Sequence, residues 1–121
     1  MYHIYYYKDK NGNCPIADYI NELKGKHDKD SRIKLQKIYE YLVYLRKEGK
    51  QAGEPYVKRL DSEIWELRPL RDRFLFAAWD GKSFILLHRF MKKTRKTPPG
   101  EIKQAKRNLS DQRERGLNDE Q

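Results

Sequence analysis

The sequence predicts an α+β domain, with two helices before a small antiparallel sheet and a third helix closing the chain, in the order β-α-α-β-β-β-α. Three observations carry this expectation. Helical periodicity is confined to two segments before residue 50 and one after residue 98. Between them, residues 64–91 are rich in aromatic and aliphatic residues interrupted by turn formers. Those strands follow one another too closely for crossover helices, which makes an antiparallel meander the simplest path.

Residues 2–8 form an aromatic, β-branched run that ends in the turn formers Asp9, Asn11, Gly12 and Asn13, and they read as the first strand. Pro15 suits the first turn of a short helix with Ile16, Tyr19, Ile20 and Leu23 on one face, and Gly25 ends it. Cys14, just before it, reads as a small residue opening that helix. Residues 28–49 give the clearest helix. Leu35, Ile38, Leu42 and Leu45 recur at spacings of three and four, with Asp30 or Ser31 expected as the cap and Gly49 as the exit.

A looser stretch over residues 50–55 leads to strands at 64–70, 73–79 and 83–91, the last two joined through Asp80-Gly81. The middle strand is apolar on both faces, and helices are expected to cover one of them. Pro98-Pro99 opens the last helix, docked by Ile102, Ala105 and Leu109. Residues 1–110 read as one domain and 111–121 as a polar, fraying tail.

Composition narrows the function. In 121 residues there are 27 Lys and Arg against 18 Asp and Glu, a formal charge of +9. Such a surface attracts polyanions over distances near the Debye length, so nucleic acid is the first candidate partner. No apolar run approaches the roughly 20 residues of a membrane span, so no membrane association is expected. The N-terminus has no signal-peptide pattern, and the single cysteine fits a reducing cytoplasm, the expected location. His3, His27 and His88 are scattered without partner cysteines, and glycine-rich phosphate loops and paired carboxylates are missing. Neither a metal nor a cofactor is expected.

The chemistry on offer is cationic. Arg68, Arg71 and Arg73 flank one strand connection, and Arg89, Lys92, Lys93, Arg95 and Lys96 lie at the end of the last strand and beyond it. In a meander these clusters can converge on one concave face. RNA carries its own nucleophile, the 2′-hydroxyl, so an enzyme must orient the strand, stabilise phosphoryl charge and move protons. Arginine offers a planar fork to two phosphate oxygens, and a lysine among cations can exchange a proton near neutrality. On this reading Arg73, beside a rigid apolar strand, stabilises transition-state charge. Arg68 assists it, Lys92 and Lys93 transfer protons, and His88 is a further candidate. Arg71, Arg89, Arg95, Lys96 and Lys58 are the expected RNA-binding cations. Glu66 is expected to pair with a nearby arginine, and Trp65 and Trp79 to serve the core. Phe90 fits either the core or a nucleobase.

Several blocks, in order, resemble the HigB-type toxins of the RelE/ParE superfamily, in its phage-derived-protein-like branch. They are Ile64-Trp65-Glu66-Leu67-Arg68, Asp72-Arg73-Phe74-Leu75-Phe76, Leu87-His88-Arg89-Phe90-Met91-Lys92-Lys93-Thr94, Thr97-Pro98, and Glu101-Ile102 with Ala105. The resemblance implies a RelE-like fold and a toxin that cleaves mRNA on the translating ribosome. It also implies neutralisation by a helix-turn-helix antitoxin. Such a partner must cover or deform the positive surface, so an acidic segment in the basic groove or docking on the Leu35–Leu45 helix side is expected. The resemblance assigns charge stabilisation to Arg73 and basic support to Arg68, Lys92, Lys93 and Arg95. Two positions depart from RelE. Glu66 stands where RelE has a lysine, and no tyrosine follows the basic segment. The alternatives are a ParE-like toxin that inhibits gyrase by binding, and an RNA-binding module without catalysis.

Overall fold

In a computed structural model, which describes residues 1–117, the chain forms nine elements. They are β1 (His3–Tyr6), α1 (Pro15–Lys24), α2 (Lys29–Glu48), a 3-10 turn (Gly49–Ala52), β2 (Val57–Arg59), β3 (Trp65–Leu67), β4 (Asp72–Asp80), β5 (Ser83–Met91) and α3 (Pro99–Arg115). The class is α+β with the RelE-like order, and five strands form one sheet in the order β1-β5-β4-β3-β2.

The helices begin and end where local chemistry requires it. Cys14 precedes Pro15, whose missing N–H costs nothing in the first turn of α1, and Gly25 receives the chain at its end. The cap of α2 is Asp28, whose carboxylate accepts the backbone N–H of Ser31, so it lies two residues before the expected Asp30. At the far end Gly49 adopts φ 59°, a left-handed conformation that glycine takes without a Cβ penalty.

Two features of the sheet correct the expected arrangement. The meander from β2 to β5 is antiparallel throughout, but β1 joins β5 in parallel, pairing His3 with Ser83 and Tyr6 with Leu86. A fourth meander strand, β2, lies between the stretch read as a loose connection, residues 50–55, and the first meander strand expected at residue 64. It is only three residues long and exposes Lys58 and Arg59, so it carries no alternating apolar signature. Covering helices also lie on both faces rather than one. Phe74, Phe76, Phe84 and Leu86 pack with Ile16, Ile20, Ile38 and Leu42 of α1 and α2. Leu75, Ala77, Ile85 and Leu87 pack with Ala105 and Leu109 of α3. That double cover explains why β4 is apolar at successive positions.

α3 continues through the stretch whose polarity predicts fraying. Gln112 is fully buried, and the Tyr7 hydroxyl donates to Asp111. Residues 118–121 of the expected tail lie outside the described residues. No helix among the described residues is long and apolar enough to cross a membrane.

One irregularity positions the site. Leu75 pairs with His88 but Phe76 pairs with Leu86, so Leu87 is an extra residue in β5. Before this bulge, Ile85 and Leu87 face α3 and Leu86 faces the other helices. Beyond it the alternation is shifted: His88 and Phe90 lie on the α3 face, while Arg89 turns toward α1.

Candidate active site

The open end of β4 gathers the cations. Antiparallel pairing sets Asp72 beside Met91 and Arg73 beside Phe90, so the end of β5 runs alongside the start of β4. The loop that follows is tied there as well. Lys92 N–H donates to the Arg71 carbonyl at 2.7 Å, and the Arg71 guanidinium donates to the Lys92 carbonyl at 3.1 Å. The arginine and lysine clusters therefore converge on one end of the sheet.

Arg73 is the most constrained of them, only 6% exposed. Its Nη1 donates to the carbonyls of Leu70 and Asp72 at 2.8 and 2.9 Å. Leu70 has φ 57°, a left-handed conformation that a leucine rarely takes, and Arg73 thus braces the strained turn that presents it. Burial pushes the guanidinium below its ordinary value and the Glu66 carboxylate opposes that shift. An arginine starts so high that the group remains a cation.

Arg73 shares one carboxylate with Arg68. Glu66 is 3% exposed, and its Oε1 lies 3.5 Å from Nε of Arg68 and 3.9 Å from Nε of Arg73. Its Oε2 accepts the Thr97 hydroxyl, which pins the chain entering α3 across this cluster. Arg68 also approaches the exposed Glu54 at 3.4 Å, yet its buried Nε has no hydrogen-bond partner. Two guanidiniums therefore meet one buried carboxylate, with the exposed Glu54 as a second partner of Arg68, and the excess positive charge at this end comes from the exposed Lys93, Arg95 and Lys96 of the neighbouring loop. The expected pairing of Glu66 with a nearby arginine holds.

The other candidates separate into groups. Lys93, Arg95 and Lys96 are exposed on the loop after β5, and Lys92 is half-buried at its root. Lys58 is exposed on β2 directly opposite Glu66 in register. His88 faces α3, with its Nε2 2.9 Å from Glu101 Oε1, so its ring is engaged by the first turns of that helix. Arg89 does not join the cluster. It lies over the Tyr19 ring at 3.6 Å, and its Nε is 3.4 Å from the buried Asp72 carboxylate on the α1 side. Alternation along β5 would have placed it beside Arg73; the bulge removes it, and nothing in the sequence marks that bulge. Trp65 and Trp79 pack on the cores, with Lys50 over the Trp65 ring at 5.3 Å.

Two hollows of the surface lie elsewhere. A broad hollow of about 1030 Å³ covers the outer side of α2, lined by Leu35, Tyr39, Val43, Tyr44 and Tyr56. It holds none of the clustered arginines. A second, of about 470 Å³, opens where β5 runs past the end of β1 and reaches His88, Gln104 and Asn108.

Sequence reasoning passed over Thr97 as a site residue and left Glu66 as a simple pairing partner. Their link spans 31 positions, which no local pattern reveals. Comparison with curated proteins gives no match. A family model described as Phage derived protein Gp49-like (DUF891) matches residues 18–110, a span that includes β2 to β5 and the whole cationic cluster. With well over half of its length matched, the chain belongs to the phage-derived protein Gp49-like family.

Proposed function

We propose that this protein is a metal-independent endoribonuclease of the HigB type within the RelE superfamily, the toxin of a toxin–antitoxin pair. The observation that carries the reading is the Arg68–Glu66–Arg73 cluster at the mouth of a lysine- and arginine-rich loop. In this reading a scissile phosphate is gripped by the two guanidiniums. The 2′-hydroxyl of the preceding ribose attacks phosphorus in line; the P–O2′ bond forms, the P–O5′ bond breaks, and a 2′,3′-cyclic phosphate remains. Arg73, already fixed by two backbone carbonyls, meets the charge that develops on the phosphoryl oxygens without further ordering. Lys92 and Lys93 are the candidates for taking the 2′ proton and returning one to O5′, with His88 as a third. Arg71, Arg95, Lys96 and Lys58 hold the strand, and Arg89 serves the fold instead.

The expected setting is mRNA on the translating ribosome, with a helix-turn-helix antitoxin as the neutralising partner. The test is to incubate mRNA and ribosomes with the protein in EDTA. Cleavage with cyclic-phosphate ends is the expected result, and intact mRNA would sink the nuclease reading. A parallel gyrase supercoiling assay is expected to show no inhibition.

A further inference from the structure

We infer that Phe90, with His88 behind it, forms a nucleobase-stacking subsite one strand position from the phosphate clamp; this rests on the RNA reading above. Phe90 is the register partner of Arg73 across β4 and β5, and the bulge at Leu87 turns Phe90 to the α3 face, the side on which Arg73 approaches Glu66. Opposed residues on neighbouring strands hold their Cβ atoms about 5 Å apart, a separation that one nucleotide spans between its phosphate and its base. The His88 ring stacks on Phe90 with centroids 6.1 Å apart and planes inclined by 26°. His88 is in turn anchored to Glu101, so the pair is a fixed platform rather than two loose rings.

Phe90 remains only partly buried, although it borders the core beneath α3. The fully buried members of that core include Leu87 of β5 and Ala105 and Leu109 of α3. Towards the open end come the half-buried Met91 and the cationic loop. An apolar ring beside a guanidinium cluster suits single-stranded RNA, whose unstacked bases seek aromatic faces while phosphates seek arginine. A phosphate-only site would have no use for the ring.

The experiment measures binding of two uncleavable 2′-O-methyl hexanucleotides, one with bases and one abasic, across a salt series. The wild-type protein is expected to prefer the base-bearing strand by about 5-fold or more, the usual scale of one stacking contact. Phe90→Leu, which keeps apolar volume, is expected to lose that preference and retain the salt dependence. Phe90→Trp is expected to restore it. Equal affinity of the wild type for both strands, or an unaltered preference in Phe90→Leu, overturns the subsite and leaves the phosphate clamp standing. Absence of salt-dependent binding to either strand removes both readings. Urea unfolding of each variant identifies the remaining case: a Phe90→Leu protein that is less stable but unchanged in preference marks a purely structural ring and overturns the proposal.

Discussion

Glu66 stands between Arg68 and Arg73, 3.5 Å from one Nε and 3.9 Å from the other, and it is the carboxylate that lets two guanidiniums share the end of the sheet. Removing it leaves buried positive charge uncompensated. Glu66→Ala is expected to destabilise the protein by about 3 kcal/mol, in the range for breaking a buried ion pair. Glu66→Gln, which still accepts the Thr97 hydroxyl, is expected to lose about 1–2 kcal/mol. Urea unfolding with an unchanged m-value checks both, and wild-type stability in Glu66→Ala would show that the carboxylate does not hold the pair.

Arg73 combines charge with a specific shape. Arg73→Lys keeps the charge but loses the guanidinium whose Nη1 serves both the Leu70 and Asp72 carbonyls while its other nitrogens carry further donors. We expect both Arg73→Lys and Arg73→Ala to slow mRNA cleavage by roughly 100-fold or more, the usual cost of losing a preorganised charge-stabilising donor. Single-turnover cleavage by folded protein is the measurement. Full activity in Arg73→Ala would move the chemistry elsewhere.

Lys92 and Lys93 differ in exposure, and their roles can be separated by salt. If each meets a phosphate, its replacement by Ala should reduce the log–log salt slope of single-stranded RNA binding by about 0.7. Lys93 is expected to show this fully because it is exposed. An unchanged slope in both variants would take the loop off the RNA path.

The junction between β1 and the end of α3 should give stability a broad plateau in pH. Burial and the Asp111 hydrogen bond push the Tyr7 hydroxyl up to about 12 from 10.0. Bonds from Arg115 and Tyr7 hold the Asp111 carboxyl down at about 2, below 3.8. A raised tyrosine contributes fully below pH 10 and loses its contribution as pH climbs toward 12. A depressed carboxyl contributes fully above pH 3.8 and loses its contribution as pH falls toward 2. Tyr7→Phe is therefore expected to weaken the plateau and flatten the alkaline fall, as read from thermal unfolding between pH 2 and 12. An unaltered alkaline limb would show that Tyr7 does not supply it.

Much of this architecture was legible because it rests on local rules. Pro15, Gly25, Gly49 and Pro99 mark helix ends by backbone geometry, and the limits of β5 follow from Asp80-Gly81 and the aliphatic run. The pairing of β1 was hidden, since four residues cannot reveal a distant parallel partner. Strand β2 was hidden by its exposed basic face. At the site, the cations were visible as residue types, and the meander correctly brought Arg71 and Lys92 together. The buried carboxylate holding the arginines, and the departure of Arg89 to Tyr19, depend on contacts across the fold that spacing does not encode.

The extra residue at Leu87 acts as a frame shift written in backbone rather than in code. Upstream of it, β5 is an ordinary core strand; downstream, every side chain is exchanged between the two sides of the sheet. Shorten the strand by one residue and Arg89 would stand next to Arg73, while the Phe90 ring would turn toward Tyr19 and Asp72. A single insertion thus decides whether this end of the sheet presents a third guanidinium or an apolar ring beside Arg73. It also spares the buried Asp72 from losing its cation.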